Sequence, residues 1–454
     1  MGRRLLNNFL VGFKALPVLL VGLIYFPAVL LGLILFRDRE AVELLFLVVL
    51  FSFIYLCSYG FFSKMFLFLA EKSSHLISVS NVFWYRLSVV AVCIYAASLG
   101  YAVYLADAVP LVVALKGGTL MEIAQARGQF LAGLEGYESL LRYAVFILGR
   151  SVMPLVLVAA FAFNSRLRYW LLVALLIFSM LSLEKVAPVY IFLPCMLYFF
   201  SAKRWSSVLA TVILMLASIG VMTILAMGGI GDSQSGSVGG GGDDFSAQQV
   251  SIPPDMPIQE PMGRPGRFFL PNLIQDNFGV GQVTVDASHV SGKLYILVNR
   301  IIWIPYVTAY DWLGFHQTVL DGKLTLGRSV SFIHHLYGEP KMLLEKMVYV
   351  YEFGASPGGT GASNTVFFVD AKLAFGWAGV VVYCLIFTFC AACIFSSGSR
   401  VLMVSSVVCF FVASVSSLTA TLLSGGLFIY VVLAFLLCER QATSPAITQA
   451  GGDK

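Results

Sequence analysis

The sequence predicts an all-α integral membrane protein with about ten (10–12) transmembrane helices and one large loop region outside the bilayer, at roughly 20 apolar residues per crossing. Three observations predict it. Hydrophobic residues make up 59% of the 454-residue chain and charged residues only 12%, where soluble domains carry about one quarter charged residues. The apolar residues form continuous runs instead of alternating with polar ones, and hydrocarbon offers backbone groups no partners, which favours helices. Lys and Arg also concentrate in alternate connections: with the N-terminus inside, the inner segments hold Arg3, Arg4, Lys14, Lys64, Lys203 and Arg204 among others. That is about twice the number in the short outer loops, the bias that orients helices, and it puts the N-terminus and the C-terminus in the cytoplasm.

Candidate spans run over 15–36, 42–62, 82–107, 141–163, 169–183, 186–200, 207–227, 365–395, 401–418 and 423–438. The first follows Arg3, Arg4 and Lys14 as a signal peptide would, but it is too long for an h-region and lacks a small-residue cleavage site, so it reads as a retained helix. Four units follow from this spacing: a seven-helix membrane region over 1–227, a large outer loop over 228–364, a three-helix membrane region over 365–438, and a cytoplasmic tail over 439–454. The loop opens on the Gly- and acid-rich "GGIGDSQSGSVGGGGDD", which has no periodicity. Within it, 294–315 is apolar enough to enter a bilayer yet carries Arg300 and Pro305. It reads as a buried, re-entrant or interfacial element, because no return span follows before 365.

The eight cysteines lie in apolar runs, and CAAC at 390–393 sits inside a helix-length run with no strand before it, so they read as core thiols. The net charge of +5 is accounted for by orientation, since no basic stripe interleaved with aromatics points to nucleic acid. His334 and His335 are adjacent, diverge by about 100° on a helix and so cannot easily share an ion. No metal and no cofactor is expected.

The outer segments hold the unusual polar residues. "MEIAQARGQFLAGLEGYESL", 121–140, reads as an interfacial helix bearing Arg127, which is either a substrate contact or an arginine reaching headgroups. The stretch "EFGASPGGTGASNTVFFVDAKLAFGWAGVVVY" feeds a span about ten residues longer than a bilayer demands. Its first turns, with Asp370 and Lys372, would then stand at the outer boundary, with Ser363 or Asn364 as cap. Gly376 and Gly379, with Ala374 and Ala378, would allow close helix contact below. Asp370 reads either as a general base or as a partner of Lys372. Arg150, deep in the fourth span, reads as a structural partner for a carbonyl or as part of the cavity, and Glu184 with Lys185 as the outer apex of a short helical pair.

"SNTVFFVDAKLAFGWAGVVVY", "MEIAQARGQFLAGL" and "NRIIWIPYVTAYD", with the arrangement of spans, resemble the bacterial oligosaccharide repeat-unit polymerases of the Wzy type. The likeness covers under a fifth of the chain. The paired R-x10-G motifs of some members do not carry over, since Arg127 to Gly136 and Arg328 to Gly338 have other spacings. The resemblance implies a GT-C-like membrane glycosyltransferase in the bacterial inner membrane. It would act at the periplasmic face on undecaprenyl-pyrophosphate-linked glycans by inverting, metal-independent transfer, alongside a chain-length regulator and a flippase. Guanidinium forks suit a leaving pyrophosphate, which selects Arg127, Arg300 and Arg328. Asp370, His335 and Glu352 are the candidate proton acceptors, and Asn364, Arg150 and Asp311 the further substrate contacts. An O-antigen ligase shares the donor chemistry, and a lipid-linked oligosaccharide flippase or other transporter is the alternative of another class.

Overall fold

The computed structural model describes residues 12–73, 81–131, 138–184, 186–226, 295, 298–330, 342–353 and 362–438. The described residues are helical or in turns and loops, with no strand among them. The helices are α1 (Leu16–Leu35), α2 (Arg39–Ser73), α3 (Asn81–Leu105), α4 (Pro110–Leu115), α5 (Leu120–Gln129) and α6 (Ser139–Ile147). After a π turn (Leu148–Val152) come α7 (Met153–Ala162), α8 (Arg168–Leu181), α9 (Ala187–Ser201) and α10 (Trp205–Ala226). A second π turn (Asn299–Trp303) leads into α11 (Ile304–Thr318), followed by α12 (Leu344–Phe353) and α13 (Phe367–Ser396). The last four are α14 (Arg400–Ser405), α15 (Val407–Ala413), α16 (Leu418–Leu422) and α17 (Leu427–Leu436).

Every expected span coincides with helix, and six helical stretches among the described residues are long and apolar enough to cross a membrane. The expected spans 169–183, 186–200, 401–418 and 423–438 are shorter helices; 401–418 is interrupted, and 423–438 becomes helical only from Leu427. Hydroxyls explain the interruption and a glycine the late start. Ser405 and Ser406 each turn their hydroxyl back onto a carbonyl of the preceding turn, a bond that competes with and bends a helix. Gly426, at φ 74°, starts α17 from a left-handed conformation that only glycine adopts without strain.

The core is built on α2 and α13, which run side by side in the same direction. Their rungs are Glu43 to Lys372, Phe46 to Trp377, Phe51 to Phe387, and Ser63 to Ser396 with hydroxyls 2.8 Å apart. Phe51, Phe367, Phe368 and Phe387 interlock edge-on and stacked with Tyr25 and Phe410 around them. Offset and edge-to-face pairs of this kind contribute about 0.5–1.5 kcal/mol each beyond area burial. Outward faces stay apolar, as with Leu209, Ile213 and Leu216 of α10, which suits a lipid solvent.

The segment from 295 lies along α1. Tyr295, Val298 and Asn299 stand beside Pro27 and Ala28, Tyr306 fills the space that a side chain at Gly32 would occupy, and the Tyr310 hydroxyl donates to Asp38. The element therefore starts beside the middle of α1, reaches the α1–α2 loop at Tyr310, and continues to Thr318 against α2 and α13. Around the fold, the C-terminal pieces are fastened by single polar bonds: Tyr25 donates to the Ser414 carbonyl at 2.8 Å, and Tyr430 to the Ser151 carbonyl at 3.1 Å.

Candidate functional site

The long helix predicted to begin near 365 is two helices joined at Gly376, which has φ 67° and ψ −155°. The break frees carbonyls that the helix would otherwise bond, and an exposed turn satisfies them: the Thr325 N–H donates to the Leu373 carbonyl at 3.0 Å and the Leu326 N–H to the Ala374 carbonyl at 2.9 Å. Backbone groups released inside apolar surroundings must find partners of this kind. From 377 to 396 the helix is about 30 Å long at 1.5 Å per residue, so the excess length expected from the sequence is the short piece before the break. Gly376 thus serves a break and not a close helix contact. Gly379 packs against that short piece, since a Cβ there would meet Phe375 Cβ at 2.5 Å and the Ala371 carbonyl at 2.7 Å.

The expected cap is also corrected. Val366 is the N-cap residue and no side chain caps the helix. Asn364 is exposed, and Ser363 is drawn away to donate to Glu352 at 2.7 Å while its N–H donates to the Glu345 carbonyl at 2.9 Å. α12 outcompetes the helix start for this serine.

Around the break lies a buried polar cluster. Lys372 pairs with Glu43 at 3.1 Å, with side chains 11% and 9% exposed, and its ammonium lies 3.8 Å from the Trp377 ring centroid. The expected alternative partner, Asp370, is buried on the same short piece, with Glu345 of α12 near enough to be felt. His316 of α11 is buried, and its imidazole is held below its ordinary pKa, first by burial and then by the Lys372 charge, with Glu43 opposing. Glu352 of α12 is 1% exposed, and burial pushes its carboxyl up to about 8, against the Ser363 hydrogen bond and with help from the Asp311 charge. Asp311 is itself buried on α11.

A carboxyl raised in the folded chain binds protons more tightly than the unfolded chain does between its ordinary range and about pH 8, so stability falls as pH rises through that window. Glu352→Gln is therefore expected to flatten the loss of thermal stability between about pH 5 and pH 8. Unfolding curves of both proteins in detergent across that range check it; parallel pH profiles would count against the assignment.

A second polar site lies in the N-terminal region. The π turn aims Arg150 at Glu184 in the α8–α9 loop, with Nη2 3.3 Å from both carboxylate oxygens. The guanidinium lies 4.3 Å from the Phe146 ring centroid and 5.8 Å from that of Tyr190. The pair lines a cavity of about 60 Å³. The partner of Arg150 is thus the Glu184 carboxylate and not the carbonyl expected from the sequence; Lys185 lies outside the described residues.

Of the other sequence-derived candidates, Arg127 is exposed in the last turn of α5, a helix begun by a Thr119–Glu122 capping box and packed chiefly on α4. Arg300 is exposed on the π turn, which packs chiefly on α1 and α11. Arg328 is half-buried in the turn after Thr325, its carbonyl accepting from the Met342 N–H at 3.1 Å. His335 lies outside the described residues. Asp311, Glu352 and Asp370 are the candidates that the structure brings into one region. Glu43 was missed in the sequence, and so was the nearness of His316 to Lys372. No group of three or more His, Cys, Asp or Glu able to hold a metal occurs among the described residues.

These features define a multi-pass helical membrane protein with charged groups buried around a broken helix. No protein-family model, no curated protein and no solved structure matches the chain.

Proposed function

We propose that the chain is a membrane glycosyltransferase of about ten (10–12) spans and GT-C-like architecture. In this reading it polymerises undecaprenyl-pyrophosphate-linked oligosaccharide repeat units at the periplasmic face of the bacterial inner membrane. The observation that carries the reading is the meeting of two distant motif patches: α11, which holds "IPYVTAYD", packs on α13, which opens with "FFVDAKLAF", and α12 packs on α11 beside it. Their contribution to the contact region is a set of buried carboxyls, and a group with a pKa near the working pH is suited to move a proton from an attacking hydroxyl. Glu352 meets that condition, with Asp370 as the alternative acceptor and Asp311 as a substrate contact. The departing diphosphate calls for fixed charge and planar forks; Arg328, in the turn that bonds the broken helix, is nearest to that role, which the resemblance also gives to Arg127 and Arg300.

Purified protein reconstituted with lipid-linked repeat units is expected to lengthen the glycan without ATP or nucleotide sugar. A cell lacking the protein should accumulate single-repeat lipopolysaccharide, whereas complete loss of attached glycan would identify a ligase. One observation favours a transporter as the second reading: a helix broken beside buried charges is a device of substrate-carrying membrane proteins. Folded protein that leaves glycan length unchanged in the reconstituted mixture would decide for that reading.

A further inference from the structure

The cavity beside Arg150 has the chemistry of a sugar site. Its charges cancel, since Glu184 accepts from Arg150 through both oxygens at 3.3 Å. A phosphate or carboxylate entering here would meet Glu184 as well as Arg150, so an anion gains little. A neutral ligand with both donors and acceptors is matched by the pair on both counts. Among the described residues the buried Nε–H of Arg150 has no hydrogen-bond partner, and an acceptor oxygen beside it would recover the cost of a buried donor left unsatisfied.

The rest of the lining mixes aromatic rings with aliphatic side chains such as Leu99, Val145 and Ile191 and with the hydroxyls of Ser179 and Ser182. Phe146 and Tyr190 flank the guanidinium, and Tyr95 meets Phe178 edge-on at 5.6 Å. Hydroxyl-bearing rims on aromatic walls suit a ring whose edge is polar and whose C–H faces are not. A volume of about 60 Å³ holds roughly four to six water-sized spheres at 10–15 Å³ each, room for part of one ring and not for a disaccharide.

The site is built rather than incidental. A π turn, an arrangement frequent at functional sites, aims Arg150, and it is held by Ser151 donating to the Gly425 carbonyl and Tyr430 donating to the Ser151 carbonyl. Gly149 leaves space for the Tyr95 hydroxyl, which a Cβ would approach to 2.9 Å. Phe130 and Leu131, which follow α5, also line it, so the segment bearing Arg127 forms part of the wall.

We infer that this cavity receives the edge of one uncharged sugar ring, held between the Arg150–Glu184 pair and the aromatic side chains of its lining. The inference rests on the glycan reading above for what carries the sugar, and on the cavity alone for the ring.

The test uses full-length protein in detergent, probed by saturation-transfer NMR with free glucose, galactose, N-acetylglucosamine and rhamnose, and with inorganic pyrophosphate. At least one sugar should receive saturation. Arg150→Lys, which keeps the charge and loses the fork, and Ser179→Leu, which fills the cavity and leaves the ion pair, should each weaken that binding about tenfold or more. Size-exclusion profiles and unfolding temperatures confirm that both variants are folded. No transfer to any sugar, Arg150-dependent binding of pyrophosphate instead, or sugar binding unchanged in folded variants would each overturn the inference. Cavity-dependent sugar binding without glycan elongation would support the site and overturn the polymerase reading. Elongation at the wild-type rate in both variants would overturn the site and leave that reading standing.

Discussion

Glu43→Ala is expected to destabilise the protein by about 3–5 kcal/mol, the cost of leaving one partner of a buried ion pair uncompensated. The pair meets that description, with both side chains about one tenth exposed and the nitrogen 3.1 Å from oxygen. Among the described residues Lys372 then keeps the Trp377 ring at 3.8 Å, worth about 2 kcal/mol when desolvated, and that attraction is present with or without Glu43. Removing both charges has the opposite expectation. Glu43→Leu with Lys372→Met replaces the pair by apolar groups of similar length, which is often neutral or stabilising. Unfolding in denaturant of the three proteins, in one detergent, measures the difference. A single variant as stable as wild type would show that water reaches Lys372 and that the pair is not a buried one. The double variant also separates stability from function: if it folds normally and loses activity, the charges serve the site and not the fold.

The helices were legible because lipid makes the rule simple: an apolar run must be helical, and its length reports whether it can cross. The breaks were not. Gly376 and Gly379 stand three residues apart and give the same signal in the sequence, yet one holds a left-handed break and the other a close backbone approach. Small residues in membrane helices serve both purposes, and only the turn that arrives from 325–326 decides between them. The cap failed for a similar reason, since Ser363 is an apt capping residue locally but Glu352 reaches it first.

The site divides along the same line. Asp311, Glu352, Asp370 and Lys372 were visible as charged groups among apolar neighbours, a costly placement that calls for a purpose. Glu43 was hidden by Arg39, which stands four residues before it and offers the ordinary helix pairing. Its real partner is more than three hundred residues away, and nothing local announces it. Arg150 and Glu184 were each noticed, but the π turn that aims one at the other depends on Gly425 and Tyr430 from the far end of the chain.

Gly376→Ala is expected to cost about 1–3 kcal/mol, because φ 67° with ψ −155° belongs to a region of backbone space populated essentially by glycine. Space is not the obstacle, since a Cβ there would meet only Leu324 at ordinary contact, 3.7 Å or more away. The cost is one of conformation, and the chain can lower it only by straightening toward a continuous helix. Straightening would return the Leu373 and Ala374 carbonyls to helical partners and strip Thr325 and Leu326 of their acceptors. The turn over the buried cluster would then loosen, and Lys372 would rotate relative to Glu43. Gly60→Ala is the control: Gly60 lies in α2 with nothing within 4 Å of an added Cβ, so alanine there should be neutral or slightly stabilising. Unfolding temperature gives the cost, and hydrogen exchange of residues 321–327 gives its route. Faster exchange in that turn for Gly376→Ala alone is the expected result. Equal stability and equal exchange in the two variants would mean that the break is not what holds the turn against the helix.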